Sequence, residues 1–293
     1  MKLAPAAPYN PQQTSLPTEG RGTAEAAGLS KGPWTAPPFR LHQGDAVDWL
    51  RSLPSGSLDL IVTDPPYESL EKHRAIGTTT RLKHSKSSSN DWFTIFPNAR
   101  FEELFQELWR VLGKNAHFYL FCDAETMFLA KPIAEHAGFR FWKPLVWDKK
   151  RIGMGYHYRS RCEFILFFEK GKRKLSNLSI PDVLEAPRIF NGYPTEKPVD
   201  VSRILIEQST TPGEWVADPF MGSGSVGLAA IGMGRGFLGN DLSAKSLEIT
   251  RDRLGTAGGD NRSGHASSAV LPVGPASAEG SPTVSERRAH HLA

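Results

Sequence analysis

Residues Leu58 to Tyr67, LDLIVTDPPY, constrain this chain more than any other stretch. Leu58, Leu60, Ile61 and Val62 form a short apolar run of the kind that becomes a strand buried on both faces, as in the middle of a parallel sheet. Pro65 and Pro66 must end it, because each fixes φ near −65° and has no N–H for a ladder. Asp64 and Tyr67 are therefore held on a stiff turn at the carboxyl end of a strand, the end at which ligands bind in open α/β sheets. An ordinary strand-ending turn would have the same local form, so the rest of the chain has to decide whether chemistry happens there.

On either side, strands alternate with helices. Short strands are expected at Phe39–His42, His117–Cys122, Phe139–Trp147, Arg161–Phe168, Trp215–Ala217 and Gly236–Gly239. Helices are expected at Ala46–Leu53, Ala99–Leu112 with Gly113 as its stop, Ala124–Ala137 with Pro132 as a kink, Pro198–Gln208, the stretch through Ala230, and Ala244–Leu254. This alternation predicts a mostly parallel α/β sheet, with the strands around 139–147 and 161–168 as an antiparallel edge hairpin. Residues 1–37 and 255–293 are rich in Pro, Gly, Ala, Ser and Thr without periodicity and read as disordered tails around a domain at 38–254. The stretch from Gly171 to Pro194 reads as irregular.

Two cysteines, Cys122 and Cys162, can build neither a disulfide framework nor a four-cysteine zinc site, and no metal site is expected. The N-terminus lacks a signal-peptide core and no apolar run is long enough to span a membrane, so a cytoplasmic protein without a membrane partner is expected. A formal charge of +4 permits a nucleic-acid partner without requiring one.

A second motif, VADPFMGSGSVG at 216–227, passes from strand through a glycine-rich turn into a helix, whose free N–H groups and positive dipole end suit a ligand. Gly222, Gly224 and Gly227 match the dinucleotide spacing GxGxxG, with Asp241 downstream as a ribose-binding acid, which keeps a nicotinamide oxidoreductase open. In a dinucleotide fold, however, the first glycine follows the strand almost directly, whereas here Asp218, Pro219, Phe220 and Met221 intervene. A phosphate-binding P-loop is excluded, because no Lys followed by Ser or Thr closes the glycine run.

Taken together, TDPPY at 63–67 and DPFMGSG at 218–224 resemble the amino-methylating DNA methyltransferases that use S-adenosylmethionine. The methylation motif precedes the cofactor motif, as in the permuted beta class, and the resemblance extends over about 38–254 to GD at 44–45, TEKP at 195–198 and Asp241. It implies a Rossmann-like, seven-stranded methyltransferase sheet with the two motif strands side by side, S-adenosylmethionine as cofactor and double-stranded DNA as partner. It leaves room for a homodimer and a cognate restriction enzyme. Asp218, Phe220, Gly222 and Gly224 would hold the amino-acid part of the cofactor, Asp241 its ribose, Asp45 its adenine, and Lys197 its carboxylate. Asp45 and Asp241 could equally be helix N-caps.

The motif suits the implied chemistry. An exocyclic amine of adenine or cytosine is a poor nucleophile because its lone pair is delocalised into the ring. Asp64 accepting one N–H and the Pro65 carbonyl accepting the other would localise that pair, with Pro66 stiffening the turn and Tyr67 offering a stacking face to an extruded base. Methylation at cytosine carbon would need a thiolate, found as a Pro-Cys pair in the enzymes that do it, but Cys122 follows Phe121 and Cys162 follows Arg161. Zinc deamination would need H-x-E and PCxxC, and neither is present. In the resembling family Asp at the first motif position is the commoner adenine form and Ser the commoner cytosine-N4 form, so the resemblance implies site-specific transfer to adenine N6, with cytosine N4 as the alternative. A non-catalytic DNA-binding module is the third reading.

DNA contacts are expected from three segments: the basic loops 68–98 and 148–161, through Arg74, Arg81, Lys83, Lys149, Lys150, Arg151, Tyr156, His157 and Arg159, and the run from Lys170 to Lys174. Lys172, Arg173 and Lys174 open a recognition segment at 171–193 that is short for the resembling family.

Overall fold

In a computed structural model, residues 39–69, 94–153, 158–190, 193 and 195–259 are described. The expected tail at 1–37 lies outside them, as do 260–293 of the second tail and most of the long basic loop, residues 70–93.

The chain runs β1 (Phe39–Gln43), α1 (Ala46–Ser52), β2 (Leu58–Thr63), α2 (Phe101–Val111), β3 (Leu112–Cys122), α3 (Ala124–His136), β4 (Arg140–Asp148), β5 (Cys162–Lys170), β6 (Val183–Glu185), α4 (Val199–Ser209), β7 (Trp215–Asp218), α5 (Ser225–Gly232), β8 (Gly236–Asp241) and α6 (Ala244–Gly259). A single 3-10 turn, Asn98–Arg100, leads into α2.

The strands form an eight-stranded sheet in the order β1-β8-β7-β2-β3-β5-β4-β6. β5 alone runs against the others: it pairs antiparallel with β3 and β4, whereas β4 and β6 are parallel. Seven of these strands are those expected from periodicity. The eighth, β6, is three residues in the segment expected to be irregular, and it covers the outer edge of the β4–β5 hairpin. The hairpin therefore sits one strand in from the edge.

β2 lies between β3 and β7, as a two-face-buried strand must. Leu58 and Ile61 pack into an apolar cluster with α1, α2 and α3. Leu60 and Val62 pack into a second cluster with α4, α5 and α6 on the other face. Leu60, Ile61 and Val62 are fully buried, each stabilising the fold by about 2 kcal/mol.

Local chemistry sets the ends of the elements. Asp45 and Asp123 cap α1 and α3 by accepting backbone N–H groups. α2 buries Phe101, Leu104, Phe105, Leu108 and Val111 on one face. It stops at Leu112, so Gly113 is a residue of β3 rather than the helix stop. Pro132 lies inside α3, and Gly138 beyond it takes a left-handed φ of 112°. α6 runs to Gly259, past the buried Leu254 and into the expected tail, because helical hydrogen bonding propagates readily once a turn has formed. No helix among the described residues is long and apolar enough to cross a membrane.

Candidate active site

The two motifs meet because their strands are neighbours. Leu60 pairs with Val216 and Ile61 with Ala217, so β2 and β7 end together. There Thr63 Oγ1 donates to Asp218 Oδ1 at 2.7 Å. A cleft of about 560 Å³ opens at this end of the sheet, within the range of small-molecule sites. Asp45, Asp64, Pro65, Pro66, Tyr67, Lys197, Asp218, Phe220, Gly222 and Asp241 all line it.

Asp64 to Tyr67 have no helix, strand or turn hydrogen bonding of their own, in keeping with two prolines that end the strand. Phe96 N–H donates to the Pro66 carbonyl at 2.7 Å, tying the returning end of the long loop to the turn. Among the described residues no N–H is bonded to the Pro65 carbonyl. Tyr67 is 7% exposed, its ring packed into the first apolar cluster with the remaining face on the cleft.

Asp64 does not stand alone. Lys197 Nζ donates to Asp64 Oδ2 and lies 3.3 Å from Glu163 Oε2. Glu163 is also paired to Lys149 at 2.6 Å. Two carboxylates and two ammonium groups thus compensate one another in a partly desolvated corner, the condition under which such charges are tolerated. Burial raises the Asp64 carboxyl against the opposing pull of Lys197. Burial also raises Glu163, but Lys197 and Lys149 outweigh it and leave Glu163 below its ordinary value. Burial alone would lower Lys197, yet Asp64 and Glu163 carry it well above the ordinary lysine range, so it is protonated.

This arrangement changes two expected roles. Lys197, expected at a cofactor carboxylate, sits on Asp64 because two carboxylates converge on the one ammonium beside them. Lys149, expected on DNA, is 20% exposed and turned inward to Glu163.

The glycine turn divides its labour. Asp218 is 3% exposed and accepts the Phe220 N–H at 3.0 Å as well as the Thr63 hydroxyl. Burial pushes its carboxyl up to about 7, with both hydrogen bonds opposing. Asp241 Oδ2 accepts the Gly222 N–H at 3.0 Å, its Oδ1 accepts the Ser243 N–H at 2.8 Å, and burial raises it. Gly222 lines the cleft, but Gly224 does not. Gly224 begins α5 with a φ of 77°, and a Cβ there would lie 2.5 Å from Thr250 Cγ2. Its role is the left-handed turn and close helix packing.

Asp45 reaches the cleft but is occupied. Its Oδ1 accepts the N–H groups of Val47 and Asp48, and Arg100 grips both oxygens at 2.6 and 2.9 Å. The Arg100 hydrogen bond holds the Asp45 carboxyl below its ordinary value. The capping alternative therefore applies to Asp45, with an ion pair added.

Sequence reasoning missed Arg100, Glu163 and Glu196, all of which line the cleft. Glu196 accepts from Arg253 at 2.7 Å and from the Tyr193 N–H at 3.1 Å. Glu163 had a usable signal, a lone acid entering the apolar run FILFF. Arg100 had none, since it precedes an amphipathic helix as many surface residues do.

The remaining expected DNA contacts divide. Lys150 pairs with Glu185 at the surface. Arg151 and Arg159 are exposed, and Arg151 stacks over Phe190 at 5.6 Å. Arg74, Arg81, Lys83, Tyr156 and His157 lie outside the described residues. Both cysteines are free thiols, and neither lines the cleft. Burial pushes Cys122 far above the ordinary thiol range, which removes it as a nucleophile. Among the described residues no cluster of acids, histidines and cysteines could hold a metal.

Comparison with known proteins gives the same direction. A family model described as DNA methylase matches residues 58–252. YubD of Escherichia coli (strain K12), named as a methylase, is 33% identical over 218 residues, covering 73% of this chain and 89% of YubD. The DNA adenine methyltransferase YhdJ of the same organism is 25% identical over 256 residues, covering 73% and 82%. Among solved structures, TTHA0409 of Thermus thermophilus, named as a DNA modification methylase and complexed with S-adenosyl-L-methionine, superposes with a TM-score of 0.56 at 21% identity, covering 76% of this chain and 95% of its own. The PvuII DNA methyltransferase, named cytosine-N4-specific, gives a TM-score of 0.56 at 16% identity, covering 75% and 87%. These two likenesses bear on the fold.

Proposed function

The chain belongs to the N6/N4 DNA methylase family, and we propose that it methylates the N6 amine of an adenine swung out of duplex DNA, using S-adenosylmethionine. The observation that carries this reading is the meeting of Asp64 and Asp218 at the ends of adjacent strands in one cleft, bridged by Thr63.

The cleft fits the cofactor. Asp218 offers a buried carboxylate to an ammonium or sulfonium, Asp241 offers an acceptor to hydroxyls, and the glycine turn brings backbone close to the ligand. When bound, S-adenosylmethionine supplies a methyl group activated on a sulfonium. Asp64 accepts one N–H of the amine and the Pro65 carbonyl the other, which returns the nitrogen lone pair to nitrogen and orients it. Pro65 and Pro66 hold that geometry without reorganisation. The proton that the amine loses as its new N–C bond forms passes to Asp64, whose proton affinity burial raises. Protonated Lys197 keeps Asp64 ionised beforehand, and Glu163 and Lys149 hold Lys197 in place. Tyr67 and Phe121 wall the cleft with aromatic surface. A stacked base gains about 1–3 kcal/mol against a few kcal/mol for unstacking.

Adenine is favoured over cytosine N4 by Asp64 at the first motif position and by the sequence likeness to YhdJ. The same fold in the cytosine-N4-specific PvuII enzyme leaves this choice to the pocket. A DNA substrate and free thiols agree with a cytoplasmic protein. The homodimer and cognate restriction enzyme stay expectations of the resemblance.

Incubation with DNA and methyl-labelled cofactor, followed by digestion to nucleosides, tests the reading. Label in N6-methyladenine is expected. Label in N4-methylcytosine would overturn the base assignment, and label in 5-methylcytosine or in no nucleoside would overturn the mechanism.

A further inference from the structure

β4 and β6 end side by side, Asp148 opposite Glu185, and β5 begins there with Cys162 opposite Asp148. Glu163, next along β5, lines the cleft. The segments that follow Asp148 and Glu185 therefore leave the sheet at the cleft end. The second is anchored at both ends. Ala186 N–H donates to the Asp148 carbonyl at 3.2 Å, and buried Trp147 Nε1 donates to the Ala186 carbonyl at 2.8 Å. At the other end Tyr193 lines the cleft and its hydroxyl meets Ser246 Oγ at 3.0 Å.

Between these anchors Phe190 is 64% exposed. Its ring lies 5.6 Å from the Arg151 guanidinium and 5.8 Å from that of Arg188. Among the described residues neither guanidinium has a carboxylate within ion-pair distance. Ile152 and Tyr158 of the facing segment are also exposed, at 56% and 104%. Phe190 and Tyr193 are three positions apart in the chain, so their Cα atoms are at most about 11 Å apart.

An apolar ring beside two cations that have no carboxylate partner among the described residues, close to the cleft in which the proposed reaction takes a single base, matches one partner: a DNA duplex at the point where a base has left the stack. Phosphates there meet the guanidiniums, and the gap takes the ring, as apolar wedges do in other DNA-bending proteins. We propose that Phe190, beside Arg151 and Arg188, is a wedge that enters the DNA stack where the target base leaves it. This rests on the DNA-methylating reading above, and it assigns the short recognition segment a role in extruding the base.

The target site is first mapped by sequencing modified bases in plasmid DNA treated with the wild-type protein. Oligonucleotide duplexes then carry that site with the target base either opposite its normal partner or opposite an abasic position, where extrusion breaks no base pair. Phe190→Ala should slow methylation of the normal duplex by about tenfold or more and of the abasic-opposed duplex by less than about threefold, with cofactor binding unchanged. Arg151→Ala and Arg188→Ala should each reduce the slope of log Kd against log salt by about 1. Wild-type rates for Phe190→Ala on the normal duplex, or equal losses on both duplexes, would overturn the wedge. A wild-type protein that methylates no DNA would refute the parent reading and the wedge with it, a result distinct from the other two.

Discussion

Replacing Asp218 with Asn tests whether the buried acid of the glycine turn is what the cofactor binds. Asp218 lies at the end of β7, 3% exposed, with a carboxyl pushed up to about 7. Near neutral pH, therefore, a substantial share of the ligand-free protein carries a neutral Asp218. If the positively charged cofactor binds the ionised form, apparent Kd scales as one plus the ratio of protonated to ionised Asp218. That factor is about 11 at pH 6 and about 1.1 at pH 8, a tenfold change or about 1.4 kcal/mol. Isothermal titration calorimetry at the two pH values measures it. The cofactor's own amine also titrates, so the informative quantity is the wild-type ratio divided by that of Asp218→Asn. This quotient is expected near ten. The variant should bind more weakly at pH 8 yet be no less stable there, because burial disfavours the charge it lacks. A quotient near one would show that Asp218 titrates elsewhere or takes no part in binding.

Two further outcomes follow from the buried charges. Lys197→Met leaves the carboxylates of Asp64 and Glu163 without their shared cation, so Asp64 should hold its proton to higher pH; transfer at pH 7 should drop about tenfold or more and recover on raising the pH. An unchanged pH–rate profile would remove Lys197 from the account. His117, fully buried, meets Ser209 Oγ at 2.8 Å and the Arg173 carbonyl at 3.1 Å. Its Nε2 must donate to that carbonyl, and neutral Nδ1 accepts from the serine. Burial lowers it from 6.5 to about 4, so the unfolded chain binds the extra proton in that window. Stability from His117 is full above pH 6.5 and falls by about 3 kcal/mol as pH drops towards 4. Asp218 titrates over an overlapping window with the opposite sign, so the urea-unfolding difference between wild type and His117→Gln carries the test; a difference constant from pH 7 to 4.5 would contradict it.

What could be read from sequence depended on how local the cause was. The strand before Asp64, the proline turn and the glycine turn declare themselves within a dozen residues, since their backbone demands belong to Pro and Gly. The adjacency of β2 and β7 followed from the paired motifs. β6 escaped because three residues at a sheet edge have no periodicity to detect, and Gly113 misled because a glycine after a helix can equally open a strand. The charged side chains were the hardest. Lys149, Lys150 and Lys197 look alike in sequence, yet one faces Glu163, one Glu185 and one Asp64. Their partners come from other strands, and only tertiary structure chooses among them. For the same reason Arg100 was invisible until Asp45 was seen in its grip.

In the proposed reaction the turn from Asp64 to Tyr67 performs methyl transfer while the glycine turn holds the cofactor. Asp64→Ala separates the two, because Lys197 keeps Glu163 as its counter-charge and Asp218 is untouched. Single-turnover transfer from methyl-labelled S-adenosylmethionine to DNA, measured beside cofactor Kd, is the most direct test. Label in N6-methyladenine is expected to fall by at least about a thousandfold while Kd stays within about twofold. Transfer at the wild-type rate, or loss of cofactor binding together with transfer, would contradict it.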